Sequence, residues 1–563
     1  MLRTFDQHRK RRLQSLSGGW KFAVDRNNVG VKEGWQSSMP CGETVMVPSV
    51  WNTQPGLLEY EGVAWYQRDF YTDGGCLRFV FGGVMTDARV YLDGKEIGSH
   101  YGGFCQFEII VRDVAEGAHR LTVRVDNSFD EKSIPQAAVD WYHYGGITRG
   151  VYVEMLRGVS VLSARLEYRL CEDLKTAFAR VALEVYNADN SDLVDDVTVS
   201  VAGAEFKLKA ELKSKESKEL FTKEQKITNF ELWSAENANL YSMEIGTSTD
   251  DLIDRVGFRR VEVKGGKVLL NNKPIIFKGV NRHEEHPDFG FAFPEALMKR
   301  DIELALDMGC NAIRGAHYPN HPAFLDLLDE MGVYFWSEIP IWGGGFDAEA
   351  LNDPAVLSRG EEMHLEMLKH YYNHPSIIFW GMHNEILTDS EAGIAMSKSY
   401  YELLCNKGGN RIVTYASNRG LRDICYEYCD VISINQYTGW YEGDKNAWGD
   451  FIGRLHEYVD DIGYGNKPII ISEFGAAAVY GHRTFETFRW SEDYQAELVS
   501  SALRLFLNDD KIAGAFIWQL FDIRTSTEAG ISRARGYNNK GLLNEYRNPK
   551  QAYFEVKKIF AEK

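Results

Sequence analysis

No stretch of this 563-residue sequence is apolar for the ~20 residues that a membrane-crossing helix needs, so no membrane partner is expected. Beyond the basic N-terminus, no block of Lys and Arg occurs either. The formal net charge is −18, which argues against a phosphate backbone, and hence a nucleic acid, as partner. Met1 to Leu16 is rich in Arg, Lys and Gln and lacks an apolar signal core, so a cytoplasmic location is expected. Cysteine is sparse and scattered: Cys41, Cys76, Cys105, Cys171, Cys310, Cys405, Cys425 and Cys429. In a long chain without an export signal these read as reduced thiols. Cys425 and Cys429 stand four apart but have no second pair, so zinc is not expected. The Lys-rich run Lys213 to Lys226 alternates with Glu and reads as a solvated strand-and-turn surface. No internal repeat is visible.

What is present is an ordinary globular composition, 44% hydrophobic, in a chain long enough for two to four domains. Aromatics reach 13%, which suits ring stacking on sugars and large cores equally. Residues 1–158 read as a jelly-roll-like β-sandwich. Leu121, Val123 and Val125 alternate with Thr122 and Arg124, the period of a half-buried strand. Val90-Tyr91-Leu92 runs into Asp93-Gly94, a hairpin turn, and Leu77–Phe81 and Val151–Met155 fit further strands. Residues 159–258 have the length of an immunoglobulin-like sandwich, with alternation over Val181–Val185 and turn chemistry at Asn187-Ala188-Asp189-Asn190.

From residue 259 to 563 short apolar runs alternate with helical patterns. The runs are Ile275–Val280, Ala312–Arg314, Val333–Trp336, Ile377–Trp380, Ile412–Tyr415, Val431–Ile434, Pro468–Ile471 and Gly514–Trp518. Phe324, Leu327, Leu328 and Met331 fall at helical spacing, with Pro322 in the first turn and Gly332 past the end. Eight strands alternating with helices predict a (β/α)8 TIM barrel, the fifth strand being the weakest signal. The expected fold class is thus a multidomain β plus α/β chain: two sandwiches, then the barrel.

Barrel chemistry sits at the C-terminal strand ends. The residues there are Asn281-Arg282-His283-Glu284, Arg314 and His317, Glu338, Asn384-Glu385, Asn435 and Tyr437, Glu473, and Trp518 and Asp522. So many polar groups exceed what a core requires. Glu385 and Glu473 follow closely on apolar strands four and seven, so they can face each other across a bound sugar. Glycoside hydrolysis needs such a pair, one to protonate the departing oxygen and one to attack or to activate water. A non-catalytic carbohydrate-binding protein is disfavoured, because a binding site gains nothing from two carboxylates kept apart in ionisation.

Val63-Ala64-Trp65-Tyr66-Gln67-Arg68, Gly145-Gly146-Ile147-Thr148-Arg149, Asn281-Arg282-His283-Glu284, Asn384-Glu385 and Ser472-Glu473-Phe474-Gly475 resemble the segments of glycoside hydrolase family 2, and within it of the bacterial β-glucuronidases. The resemblance covers nearly the whole chain. It implies a retaining mechanism with Glu385 as general acid/base and Glu473 as nucleophile. It puts Asn384 on the sugar 2-hydroxyl, Tyr437 beside the nucleophile, and Tyr441 on the pocket wall. His317, Asn435 and Trp518 join the substrate site from their strand ends. Asn538 and Lys540 match the Asn-x-Lys motif that holds the sugar carboxylate, with Arg533 or Arg535 as a second positive charge. Asp140 matches an acid that reaches in from the first sandwich to bind ring hydroxyls.

The resemblance implies a homo-oligomer acting on a small-molecule or oligosaccharide glucuronide. The alternatives are a β-galacturonidase, which needs the same carboxylate clamp, and a β-galactosidase, disfavoured by Lys540. No catalytic metal and no cofactor are expected. His283, Glu284, Glu285 and His286 are four adjacent residues that do not all face one ion, and a Glu-x-His site of galactosidase type is replaced by Glu338-Ile339-Pro340. Glu338 is expected to pair with Arg314 or to hold the acid/base. His383, just before Asn384, is expected to alter the pocket floor. The short stretch Gly343 to Glu362 predicts an open mouth.

Overall fold

The computed structural model describes residues 3–562; Met1, Leu2 and Lys563, at the outer ends of the first and last expected domains, lie outside them. The first unit is a sandwich of a six-stranded and a four-stranded antiparallel sheet around one apolar core. The Asp93-Gly94 turn is as expected: both residues have positive φ (51° and 82°), and Leu92 pairs with Lys95 across it. The half-buried reading of Leu121–Val125 is corrected. All five residues are buried, because this strand, Gly117–Asp126, lies inside the larger sheet and its second face is also covered. Trp65 stacks on Tyr91 at 5.8 Å over that face, and Thr122 accepts a hydrogen bond from Gln67 at 3.0 Å. Polar residues alternate along the strand, but burial does not.

Two four-stranded antiparallel sheets with their own core follow, from Val159–Leu170 to Asp251–Val256. All eight cysteines are free thiols. The Lys213 to Lys226 run forms a turn and the largely exposed strand Ser217–Phe221.

The last unit is a closed barrel of eight parallel strands, as the alternation predicts. They are Phe277–Asn281, Ala312–Gly315, Tyr334–Glu338, Ile377–Asn384, Ile412–Ser417, Ile432–Asn435, Ile469–Phe474 and Ile512–Ile517. The weakly signalled fifth strand is present. The fourth and seventh run further than their apolar stretches, through Asn384 and Glu473, since polar residues at a barrel mouth still pair with the neighbouring strands. Phe277, Trp336, Phe379 and Phe516 plug the barrel interior below the mouth. The helix Pro322–Met331 carries Pro at its start and ends at Gly332, φ 68°, where a Cβ would lie 2.3 Å from the Ala235 carbonyl oxygen. No helix of the described residues is long and apolar enough to cross a membrane.

The sandwich loop before Arg149 is wedged onto the barrel mouth. Arg149 pairs with Glu284 at 2.9 Å, and the Tyr144 hydroxyl donates to Glu285 at 2.8 Å. Trp141 is buried against His283, His317 and Trp342. These anchors carry Asp140 to the mouth.

Candidate active site

Arg314, at the end of the second strand, organises the mouth. Its buried guanidinium donates to Glu338 through two nitrogens (2.9 Å each), to Glu473 Oε1 at 2.8 Å, to Asn384 Oδ1 at 2.8 Å and to Asn281 Oδ1 at 3.1 Å. Four residues from four other strands are thereby held by one planar cation, a geometry that Lys does not reproduce. His317 adds a 2.7 Å contact to Glu338. Burial alone would raise the Glu338 carboxyl, but Arg314 and His317 hold it below its ordinary range. Of the two roles expected for Glu338, the structure shows the pairing with Arg314.

Glu473 receives a second donor, the Tyr437 hydroxyl, at 2.7 Å. Burial and the Glu473 charge push the Tyr437 phenol well up, so it stays a donor. Glu385 follows the fourth strand at φ 56°, a left-handed conformation that a β-carbon disfavours and that clusters at functional sites. Gly343 packs on this kink, where a Cβ would lie 1.9 Å from the Glu385 carbonyl oxygen. Ser472 donates to Asn435 Oδ1, which turns the Asn435 amide nitrogen onto Glu385 Oε1 (2.7 Å) and Asn384 Oδ1 (3.0 Å). The Glu385 carboxyl is pushed up to about 8, first by burial and then by the charge of Glu473, against the Asn435 hydrogen bond.

One cavity of about 690 Å³ gathers Glu385, Glu473, Asp140, His317, Asn435, Tyr437, Tyr441, Trp518, Arg533 and Lys540. Three other expected site residues are placed elsewhere. Asn384 lies in the wall behind, and its Nδ2 is buried without a hydrogen-bond partner. Asn538 is fully buried and donates to Asp140 Oδ2 at 2.8 Å, so it reaches the cavity through that carboxylate. Arg535 is a correction: it pairs with Glu545 at 2.8 Å and donates to Asn539 at 3.0 Å, away from the cavity. It sits at φ 63° in the turn Ala534–Gly536, which aims it apart from Arg533. Arg533 pairs with Asp140 at 2.7 Å.

His383 is also corrected. Adjacent strand residues point to opposite faces, so with Asn384 inward His383 points outward, to the Ser397 hydroxyl at 2.9 Å. It does not form the pocket floor. The four residues from His283 diverge as expected: His283 contacts Tyr318, Glu284 pairs with Arg149, Glu285 bonds Tyr144 and His286 packs on Phe289. Among the described residues one buried trio has metal-ligand spacing, Asp326, Asp329 and His374. Asp326 is there engaged by Arg3 at 2.8 Å, and His374 by Asp329 at 2.6 Å. It lies outside the cavity.

Sequence reasoning missed Trp342, Asn418 and Glu442 on the cavity wall, and the hub role of Arg314. Asn418 directly follows the fifth strand, so the strand-end rule would have found it. Trp342 and Glu442 lie on loops that carry no periodic signal.

Sequence profiles match the whole architecture. "Glycosyl hydrolases family 2, sugar binding domain" covers residues 13–156, "Glycosyl hydrolases family 2" covers 159–259, and "Glycosyl hydrolases family 2, TIM barrel domain" covers 261–562. A β-glucuronidase of Streptococcus agalactiae is 28% identical over 97% of this chain and 96% of its own. Among solved structures, a β-galacturonidase from Eisenbergiella tayi bound to galacturonate is 35% identical, with a TM-score of 0.94 over 100% of this chain and 99% of that one. A β-glucuronidase from Ruminococcus gnavus in complex with D-glucuronic acid is 27% identical, with a TM-score of 0.87 and the same coverage.

Proposed function

The chain belongs to glycoside hydrolase family 2, and from that premise we propose that it is a retaining β-glucuronidase, releasing glucuronic acid and the free alcohol from β-glucuronides. One observation carries the substrate. The Lys540 ammonium is buried in the cavity that holds Glu385 and Glu473, and among the described residues it has no carboxylate partner. Its contacts are the Tyr441 hydroxyl at 2.7 Å and the rings of Tyr437 and Tyr441 at 5.2 and 4.8 Å. The neighbouring cation, Arg533, is already matched by Asp140. A buried unmatched ammonium calls for an anion, and a uronic acid brings one that a neutral hexose lacks.

In this reading Glu473 attacks the anomeric carbon and Glu385 protonates the leaving oxygen, then takes a proton from water in the second step. Arg314 and Tyr437 aim the nucleophile. Asn384 Nδ2 and Asp140 Oδ1, each buried without a partner, serve sugar hydroxyls. His317, Asn435, Tyr441 and Trp518 frame the ring, and Asn538 holds Asp140 in place. No metal step is assigned: Glu338 is occupied by Arg314 and His317, and Pro340 stands where a second ligand would be needed. The segment after the third strand is short, and its Phe346 and Leu351 are buried, which supports an open mouth that admits bulky or oligosaccharide aglycones. The proposal extends to a cytoplasmic homo-oligomer. Free thiols suit a reducing compartment, and static light scattering of the purified protein measures the assembly.

A β-galacturonidase is the second reading, favoured by the higher identity of the Eisenbergiella tayi enzyme. The two substrates share the carboxylate and differ only in the hydroxyl at carbon 4. Turnover of aryl β-glucuronide, β-galacturonide and β-galactoside side by side decides. The glucuronide is expected to be fastest and the galactoside slowest. A faster galacturonide selects the second reading, and a faster galactoside removes both.

Glu385→Ala is expected to slow substrates with poor leaving groups about 10²- to 10⁴-fold, while activated aryl glycosides lose far less at the first step. Equal losses on both would remove Glu385 as the acid. The acid must be protonated to act, so kcat/KM is expected to fall as pH rises through about 8. Stability follows the same group. Its folded-state pKa is raised, so the native state gains its full benefit below about 4.5 and loses it as pH rises to about 8. Glu385→Gln mimics the protonated acid. Its melting temperature should match the wild type at pH 5 and exceed it at pH 9; a difference independent of pH would contradict the raised value.

A further inference from the structure

At the opposite end of the barrel lies a charged group that the proposed reaction does not use. Arg259, 2% exposed, donates to the carbonyl oxygens of Pro375 (2.6 Å), Ile377 (2.6 Å) and Asn410 (2.8 Å). Arg411 donates to the carbonyls of Tyr372 and His374 and lies over the rings of Tyr372 and Trp380 at 5.2 and 5.5 Å. Its Nε is buried without a hydrogen-bond partner. Every acceptor is neutral, and among the described residues neither guanidinium has a carboxylate within 4.0 Å; the charge of Asp329 acts on both from farther off, and that carboxylate is already bound to His374 at 2.6 Å. Ile377 and Ile412 open the fourth and fifth strands, so this is the N-terminal face, away from the mouth.

Both arginines line one cavity with Tyr168, Asn373 and Asn410, between the immunoglobulin-like unit and the barrel. It encloses about 20 Å³, room for a single water-sized sphere. Burial and the charge of Arg411 push Arg259 down to about 9, which still leaves it charged at neutral pH. Two buried cations beside one cavity are costly unless an opposite charge joins them, since partial charges on carbonyls offset only part of the desolvation. Room for about one water-sized sphere suits a small, single-atom anion.

We propose that this cavity binds one monoatomic anion of the halide class, chloride in the cell, bridging Arg259 and Arg411 and fastening the immunoglobulin-like unit to the barrel. The full-length protein is crystallised and soaked in bromide, and its melting temperature is measured with chloride replaced by gluconate at constant ionic strength. An anomalous bromide peak between the two guanidinium groups is expected, with a melting temperature about 2–4 °C higher in chloride. Arg411→Met keeps the stem over Tyr372 and Trp380 but removes the charge, and should abolish the chloride response. A cavity holding water alone in bromide-soaked crystals would overturn the proposal, whether or not the variant folds. So would a chloride response of equal size in a folded Arg411→Met. Glycosidase turnover plays no part in these readouts, so the test stands apart from the substrate assignment.

Discussion

Glu473→Ala is expected to lower turnover of every glycoside by about 10⁴-fold or more, the scale on which loss of a covalent nucleophile is felt. Without this carboxylate no glycosyl-enzyme forms, and neither Arg314 nor Tyr437 is a nucleophile that replaces it. The fold should survive, because Arg314 keeps both bonds to Glu338 and those to Asn384 and Asn281. The removed side chain leaves space on the face from which it attacked. Azide supplied there should restore turnover of an activated aryl glucuronide, forming a carbon–nitrogen bond as the aryl oxide leaves and giving the α-glycosyl azide. A folded variant with turnover within tenfold of the wild type would take the nucleophile role from Glu473. A β-azide product would point to another residue attacking first.

Lys540→Ala has the second largest expected effect. It leaves the uronate without its counter-charge in a buried site. Truncating one partner of a buried charge pair costs about 2–5 kcal/mol, or roughly 30- to several-thousand-fold in kcat/KM. The loss should fall on uronides and spare any activity on neutral glycosides. Asn538→Ala should cost less, since it removes a neutral donor from Asp140 and not a charge from the substrate. Tyr441→Phe isolates the 2.7 Å contact to Lys540 and should change uronide KM more than kcat. Uronide activity unchanged in Lys540→Ala, or a fall shared equally by neutral glycosides, would show that this loop does not read the carboxylate. Glucuronide and galacturonide should suffer alike, because both carry it.

What the sequence by itself determined is whatever a short window encodes. Apolar runs at strand and helix spacing sufficed for the barrel and its eight strands, including the weak fifth, because those periods follow from local backbone geometry. The Pro322-to-Gly332 helix was legible to its ends, since capping acts within one turn. Glu385, Glu473, Asn384 and Lys540 stood out because each sits in a short, recognisable string. Burial beyond the alternating pattern was not legible. Thr122 and Arg124 look solvent-facing in a one-dimensional reading, and only the cover of Trp65 and Tyr91 puts them inside.

The tertiary structure alone decided which charges meet. Arg314 reaches Glu473 across 159 positions, and Arg533 reaches Asp140 across 393. No local pattern encodes such pairings; they follow from barrel closure and from the docking of the sandwich loop. The choice between Arg533 and Arg535 turned on one left-handed residue in a tight turn, and that of His383 on which face of a strand looks inward. Lys540 became a substrate argument for the same reason. A lysine in a string is one of many, but an ammonium buried in the same cavity as two carboxyl groups, with no carboxylate partner among the described residues, is set by the packing around it, because low-polarity surroundings make an unmatched charge expensive.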